Sequence, residues 1–253
     1  MKRRLLITFL LGCLLPFAVQ AQHGTFRFAQ ITDIHFSPNN PNPTEDLLRS
    51  VAQINAIDSI DFVLVTGDIT EEGDRATMLK VKETLDLLKA KYYVILGNHE
   101  TKWSDSGCTA FGEIFGGERF EFEHKGILFL GFNSGPLMRM AYGHVVPQDI
   151  RWMTEEMDKF GKDKPVILVT HYPLLDGDVD NWYEVTDAVR PYNIRLFIGG
   201  HYHRNRDLRY DGIPGILMRS NLRDKDGKPG YGIYDITVSY THLRAHETEL
   251  HLV

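Results

Sequence analysis

The chain alternates between short apolar runs and longer stretches in which apolar residues recur at helical spacing. The apolar runs predict strands over residues 26–32, 61–66, 92–96, 165–170 and 194–198. The helical spacing predicts helices over 43–59, 75–90, 108–115, 147–160 and 182–190. In these helices we expect Thr44 as the N-cap of the first, and Leu79, Leu85 and Leu88 on the buried side of the second. Strands that alternate with helices indicate a layered α/β fold.

Two other regions carry the signals of antiparallel strands. Residues 119–124 and 127–133 flank Lys125-Gly126 and predict a hairpin. Residues 206–237 predict further antiparallel strands, with turns at 211–212 and 226–227. Strands that alternate with helices pair in parallel, and hairpins add antiparallel strands, so the sequence predicts a mixed sheet.

The first 21 residues predict a cleaved signal peptide rather than part of the fold. Lys2, Arg3 and Arg4 precede an apolar run that ends in the small-residue cleavage site Val19-Gln20-Ala21. A retained membrane anchor is the alternative, but the run is short and contains Pro16. Lipidation at Cys13 is less favoured because apolar residues follow it. We therefore expect an exported protein, periplasmic or secreted, with no membrane span in the mature chain.

Composition narrows the classes of partner. The net charge is −6, from 28 basic and 34 acidic residues, and no basic stripe is present, so nucleic acid is not an expected partner. Only Cys108 remains after cleavage, which excludes an internal disulfide and predicts a packed or partly exposed free thiol. The sequence leaves the oligomeric state open.

Polar clusters follow five of the predicted strands directly. They are Asp33-Ile34-His35, Gly67-Asp68, Gly97-Asn98-His99-Glu100, His171 and Gly200-His201-Tyr202-His203. Sites in open α/β sheets form outside the carboxyl ends of the strands, so these clusters can converge. Carboxylate, imidazole and amide groups suit Mn, Fe, Zn or Ni better than Cu(I). Alternate residues of an extended segment point the same way, which lets Asp33 and His35 share one metal.

The five clusters in this order resemble the signature of the calcineurin-like metallophosphoesterase superfamily, over residues 26–205. The resemblance implies a four-layer α/β/β/α sandwich with central mixed β-sheets. It implies a dinuclear metal-dependent hydrolase of phosphate mono- or diesters that uses a metal-bound hydroxide. The implied ligands are Asp33, His35, Asp68 and His203 for one divalent ion, and Asp68, Asn98, His171 and His201 for the other. His99 is similar to the non-ligand histidine that faces the scissile phosphate; protonated, it would stabilise the leaving oxygen or donate its proton.

The sequence does not decide the roles of several residues near the signature. Glu100 either orients a neighbour or lies on the surface, and His144 is a candidate for the substrate mouth. His23 and His124 are expected to be structural or exposed. Glu71 stands where purple acid phosphatases place a tyrosine ligand, which disfavours a purple ferric site. The ending Gly-His-Tyr-His-Arg at 200–204 resembles cyclic-nucleotide-phosphodiesterase-like members.

Two other functions compete with hydrolysis of a small phosphate ester. A nuclease of the same fold is disfavoured by the lack of a basic channel. A catalytically inactive phosphate- or nucleotide-binding module would have lost ligands, whereas all the expected ones are present.

The end of the chain changes character after residue 237. Residues 238–248 and 251–253 match one reading frame of a transposase-type sequencing adapter. The segment also lacks a sustained apolar face. We therefore interpret 238–253 as a sequencing artefact and 22–237 as a metallophosphoesterase domain that is truncated at its C-terminus.

Overall fold

The computed structural model describes residues 24–139, 141–223, 230–238 and 243–252. The predicted signal peptide, His23 and the predicted turn at 226–227 lie outside these residues. In chain order, the strands are β1 (Thr25–Ile31), β2 (Ile60–Thr66), β3 (Lys91–Ile95), β4 (Phe120–His124), β5 (Ile127–Gly131), β6 (Val166–Val169), β7 (Ile194–Gly199), β8 (Arg206–Tyr210), β9 (Ile213–Leu217), β10 (Gly230–Val238) and β11 (Leu243–Leu252).

The strands form two mixed sheets. The first has the order β11-β10-β1-β2-β3. Strands β1, β2 and β3 are parallel to one another, β10 is antiparallel to β1, and β11 is antiparallel to β10. The second has the order β4-β5-β6-β7-β9-β8, with four parallel strands flanked by antiparallel β4 and β8. The hairpin at Lys125-Gly126 is confirmed, and both turn residues have positive φ.

The helices cover the outer faces of both sheets. They are α1 (Asn42–Ala56), α2 (Arg75–Leu85), α3 (Thr109–Phe115), α4 (Pro147–Phe160) and α5 (Trp182–Val189), with a π-helix at His99–Trp103. One apolar cluster joins the first sheet to α1–α3, a second joins the other sheet to α4 and α5, and a third lies between the sheets. This arrangement confirms the α/β/β/α layering. Among the described residues, no helix has the length and apolarity needed to cross a bilayer.

Aromatic rings fill the layer between the two sheets. Phe28 of β1 stacks on Tyr234 of β10, with ring centroids 4.7 Å apart, and on Phe62 of β2 at 5.0 Å. Phe129 of β5 meets Phe62 edge-on at 5.1 Å, which brings the second sheet against the first. Such pairs add to the free energy gained from burial of their surface.

Two predictions about the helices were wrong in detail. Helix α1 begins at Asn42, so Thr44 lies inside the first turn instead of capping it. Helix α2 ends at Leu85, and Leu79 is 43% exposed because Met78 and Val81 form the buried face. The π-helix at 99–103 was not predicted, since its five residues are too few to show a period.

The strands after residue 205 are divided between the sheets. Strand β9 pairs antiparallel with β8, as predicted, but also parallel with β7. Strand β10 crosses to the first sheet and pairs with β1, a partner at the other end of the domain that local patterns do not reveal.

The final strand falls in the segment interpreted as an artefact. The backbone of β11 pairs with β10 from Gly230↔Leu252 to Val238↔Leu243, where the sequence pattern predicted no element. Antiparallel pairing uses backbone N–H and C=O groups, which every residue except proline supplies. The pairing therefore does not bear on the origin of residues 238–253, and the adapter interpretation stays a prediction.

A buried amide connects the two sheets close to the ends of their parallel strands. Gln30 of β1 is fully buried, and its Nε2 donates to Oγ1 of Thr66 and to the carbonyl oxygen of Gly199 in the second sheet, both at 2.8 Å. Its Oε1 accepts a hydrogen bond from the hydroxyl of Tyr234 at 2.6 Å. All polar atoms of this side chain are thus satisfied, as burial requires.

We expect Gln30→Met to lower the free energy of unfolding by about 1–3 kcal/mol, because the change removes an acceptor from Tyr234 and a donor from Gly199 in a buried place. Gln148→Met is the matched control, since Gln148 is exposed on α4. Urea denaturation of both variants measures the difference. Equal stabilities would contradict the role given to Gln30.

Candidate metal centre

The structure brings all seven predicted ligands to one place, where the carboxyl ends of β1, β2, β3, β6 and β7 meet. The side chains come from both sheets, so the sandwich itself assembles the centre. Most of them are buried, while His201 is partly exposed and the His203 side chain is 41% exposed; the set is Asp33, His35, Asp68, Asn98, His171, His201 and His203.

One group of candidate ligands contains Asp33, His35 and His203, whose ligand atoms lie within 4.8 Å of one another. Oδ1 of Asp33 lies 3.2 Å from Nε2 of His203 and 4.0 Å from Nε2 of His35. The two Nε2 atoms are themselves 3.0 Å apart. Three lone-pair donors thus face a common point.

A second group contains Asp68, His171 and His201, within the same limit of 4.8 Å. Nε2 of His171 lies 3.1 Å from Oδ2 of Asp68 and 3.2 Å from Oδ1 of Asn98. The same Oδ2 of Asp68 lies 3.9 Å from Nε2 of His35 in the first group. Asp68 is therefore located between the two groups.

The backbone at the centre is held in an uncommon conformation. Five candidate ligands have positive φ, at 51° for Asp33, 49° for His35, 48° for Asp68, 73° for His201 and 53° for His203. Non-glycine residues adopt this region at a cost of order 1–3 kcal/mol each, and they do so mostly at functional sites. The surrounding sheets supply the stability that keeps these side chains turned inward.

Two glycines allow the loops of the centre to approach each other closely. A Cβ on Gly97 would lie 2.2 Å from Oδ1 of Asp68, and a Cβ on Gly200 would lie 2.5 Å from Oδ2 of Asp33. These distances exclude any side chain at either position without movement of the carboxylates. The glycines at these strand ends are thus explained by the space that the ligands occupy, as the sequence predicted.

Three imidazoles are oriented by acceptors behind them. Nδ1 of His35 lies 2.9 Å from Oε2 of Glu71, Nδ1 of His99 lies 2.6 Å from the carbonyl oxygen of Glu71, and Nδ1 of His171 lies 2.8 Å from the carbonyl oxygen of Thr66. Each Nδ1–H donates to its acceptor, which leaves Nε2 directed at the centre. Such outer partners set the tautomer of histidine ligands.

Glu71 is a residue whose role the sequence did not reveal. Its carboxylate and its carbonyl group contact different histidines, and it forms a third cluster with His35 and His99. The hydrogen bond with His35 lowers the pKa of the Glu71 carboxyl group. The only signal in the sequence was its position three residues after Asp68.

The structure decides between the two interpretations of Glu100. The residue is fully buried, and its carboxylate accepts hydrogen bonds from N and Oγ1 of Thr70, both at 2.9 Å, and from N of Gly97 at 2.8 Å. Thr70 follows β2 and Gly97 follows β3. Glu100 therefore ties together the two loops that carry Asp68 and Asn98.

The charges of the centre depend on one another. Burial alone would raise the pKa of Asp33, but the hydrogen bond with His203 and the charge of His171 lower it. Burial also opposes ionisation of Asp68, yet the charge of His171 and their hydrogen bond lower its pKa. Burial lowers the pKa of His171, whereas the Asp68 carboxylate raises it to about 10. Burial and the charge of His171 lower the pKa of His201 to about 4.

The donor set suits divalent metal ions. Carboxylate oxygens, imidazole nitrogens and an amide oxygen are ligands that Mn, Fe, Zn and Ni accept. The facing Nε2 atoms of His35 and His203, 3.0 Å apart, can share only one proton between them, whereas a cation accepts both lone pairs. The residues present therefore fit a metal centre.

Of the other histidines, only His99 among the described residues borders the centre, whereas His124, His144 and the free thiol lie elsewhere. Nε2 of His99 faces the centre at 4.0 Å from Oδ2 of Asp68. His124 is half-buried and bonded to Asp61, which confirms a structural place, and His144 is bonded through Nδ1 to Asp180. Cys108 is a buried free cysteine, as predicted.

Several curated proteins are related to this chain, and those whose names state an activity are phosphodiesterases or phosphatases. The chain is 28% identical over 215 residues to YvnB of Bacillus subtilis, named an uncharacterized protein; the match covers 75% of this chain but 16% of YvnB. It is 27% identical over 199 residues to the "Probable glycerophosphodiester phosphodiesterase GpdQ" of Arcobacter nitrofigilis, covering 69% and 71% of the two chains. It is 23% identical over 212 residues to the 3′,5′-cyclic-nucleotide phosphodiesterase alr5338 of Nostoc sp., covering 76% and 78%.

Solved structures share the fold at low sequence identity. GAP50, the anchor in the inner membrane complex of Plasmodium, matches with a TM-score of 0.58 and 11% identity over 90% of this chain and 88% of its own. The protein TT1561 of Thermus thermophilus matches with a TM-score of 0.54 and 9% identity, over 89% and 100%. The family model described as calcineurin-like phosphoesterase matches residues 26–205, from the start of β1 to the loop after His203. Because this match covers more than half of the chain, the protein belongs to the calcineurin-like phosphoesterase family.

Proposed function

We propose that the protein hydrolyses phosphate mono- or diesters at a centre of two divalent ions, with Mn, Fe, Zn or Ni as the candidate metals. The observation that carries the proposal is the position of Asp68, whose Oδ2 lies 3.1 Å from Nε2 of His171 and 3.9 Å from Nε2 of His35. A carboxylate between two groups of ring nitrogens suits a bridging ligand. The remaining ligands are Asp33, His35 and His203 for one ion, and Asn98, His171 and His201 for the other.

The chain's own residues bind and orient the substrate around this centre. When bound, two divalent ions neutralise charge on a phosphate ester and lower the pKa of a coordinated water. His99 acts at the leaving group: its Nδ1–H is held by the carbonyl oxygen of Glu71, and its Nε2 faces the centre. A proton on Nε2 passes to the departing alkoxide, which prevents an unstable anion from accumulating.

The family and the charge of the chain support a small substrate. The family is typically metal-dependent, and relatives are named as phosphodiesterases of glycerophosphodiesters and cyclic nucleotides. A net charge of −6 disfavours a polynucleotide, whose binding needs a basic surface.

The direct test of the proposed hydrolysis is a panel of a phosphate monoester, a linear diester and a cyclic nucleotide, assayed with added Mn. Absence of turnover on all three would contradict the proposal.

We expect Asp68→Ala to lose both metals and nearly all turnover, because the bridging carboxylate belongs to both ligand groups. Elemental analysis after dialysis measures the metal content. Asp58→Ala is the matched control, since Asp58 is exposed and outside the centre. A variant at position 68 that kept two equivalents of metal and normal hydrolysis would exclude the bridging role.

We expect His99→Ala to keep its metals and to lose turnover by about 10²–10⁴-fold, the usual contribution of a general acid. The loss should shrink for esters of acidic phenols, because their leaving groups need no proton. Steady-state kinetics on a series of leaving groups, together with metal analysis, measures both effects. Equal losses along the series would show that His99 does not act as an acid.

We expect Glu71→Ala to weaken metal binding by about 10–100-fold, as is typical when the partner behind a histidine ligand is removed. Titration of the metal-free protein against a chelator measures this affinity without any turnover. Glu72→Ala is the matched control: the neighbouring glutamate is exposed and carries the same charge. If both variants bind metal alike, Glu71 does not orient His35.

A further inference from the structure

A cavity of about 480 Å³ lies beside the candidate metal centre. This volume is in the range of small-molecule binding sites. None of the seven candidate ligands lines it, so it is distinct from the centre itself. Its polar lining includes Thr101, Glu118, Arg119, Asn133, His144 and Asp149.

Two walls of the cavity are built on residues next to the centre. Thr101 belongs to the π-helix that starts at His99, and its Oγ1 donates to the carbonyl oxygen of Asn98 at 3.3 Å. The segment after β5 supplies Asn133 and Pro136 to the lining, and Oγ of Ser134 between them accepts from Oγ1 of Thr170 at 2.6 Å, one residue before His171. The segments that carry Asn98 and His171 are thus bonded to, or continuous with, segments that line the cavity.

The guanidinium group of Arg119 is fixed in the cavity wall. Its Nε lies 2.8 Å from Oδ1 of Asp149, a carboxylate whose side chain is only 5% exposed. The ring of Trp152 lies 5.3 Å from the guanidinium carbon and packs against its face. The ion pair uses the Nε edge, so the terminal amino groups remain as hydrogen-bond donors with a defined direction.

The cavity lining also contains hydrogen-bond acceptors, on Glu118 and His144. Oε2 of Glu118 accepts from Nδ2 of Asn133 at 3.0 Å, which holds the carboxylate while its second oxygen stays able to accept. Nδ1 of His144 lies 2.7 Å from Oδ1 of Asp180, so the ring is oriented and Nε2 is left for a ligand. The cavity thus offers donors and acceptors together.

The charge of the lining disfavours a second phosphate group as the ligand. Glu118 and Asp149 against Arg119 give a formal charge of −1 with His144 neutral. A second phosphate group is disfavoured there, and Leu137 and Val146 add apolar wall that suits carbon chains. A hydroxyl group both donates and accepts one hydrogen bond or more, which matches the mixture of groups in the lining.

We propose that this cavity binds the uncharged, hydroxyl-bearing organic group of the phosphate ester, with Glu118, Arg119 and His144 as the residues that recognise its hydroxyls. The proposal rests on the proposed phosphoesterase function, because the hydrolysed phosphate must lie at the centre. It goes beyond that function by naming the substrate class as polyol or sugar esters rather than simple alkyl esters.

The test compares two diesters with the same leaving group and charge: p-nitrophenyl 3,4-dihydroxybutyl phosphate and p-nitrophenyl butyl phosphate. The enzyme loaded with Mn should favour the dihydroxybutyl ester by at least about 10-fold in kcat/KM, because Glu118 and Arg119 are charged and hydrogen bonds to charged groups are stronger than those between neutral groups. Glu118→Ala and His144→Ala should each reduce this ratio severalfold. Glu123→Ala, which removes an exposed carboxylate from β4 outside the cavity, should leave both rates unchanged.

A ratio near one in the wild type, with both esters hydrolysed, would overturn the proposal while the phosphoesterase function stood. If neither ester is hydrolysed, the proposed function fails, and the cavity is tested by titrating the protein with butane-1,2,4-triol. Imidazole NMR signals of His144 should then shift while those of His124 do not. No shift at His144 would overturn the proposal in that case as well.

Discussion

The structure depends on keeping two carboxylates, Asp33 and Asp68, charged in a place that water does not reach. Both side chains are buried, and an isolated buried charge is too costly to persist. The cost is offset by imidazoles that face them, above all His171 and His203. The same arrangement of anions and ring nitrogens suits divalent cations, which supply far more positive charge than a proton does.

The packing of the two sheets and the geometry of the centre are linked through the chain. Gln30 bonds across the interface to the carbonyl oxygen of Gly199. Asp33 lies three residues after Gln30, and His201 lies two residues after Gly199. A contact that holds the sheets together therefore also sets the distance between ligands from opposite sheets. The backbone strain at these ligands is tolerated because the sheets on either side are well packed.

The residues proposed to select the substrate lie on different elements from the candidate metal ligands. The candidate ligands follow the central strands, whereas Glu118, Arg119 and His144 lie before β4 or in the long connection after β5. Loops of this kind vary without disturbing the scaffold. The different substrates in the names of relatives, glycerophosphodiesters and cyclic nucleotides, are consistent with this division.

Local patterns in the sequence determined a layered α/β fold and the polar clusters after its strands, and the resemblance to a known family supplied the four-layer arrangement and the set of candidate ligands. Alternating strands and helices are local patterns, and each ligand cluster stands directly after an apolar run, as Asp33 and His171 do. Export and the origin of residues 238–253 stay predictions from the sequence alone. Only the tertiary structure decided the roles of Glu71 and Glu100, the crossing of β10 to the first sheet, and the cavity beside the centre. These features are contacts between segments far apart in the chain, and the position of a residue in the sequence carries no record of the distance to its neighbours in space.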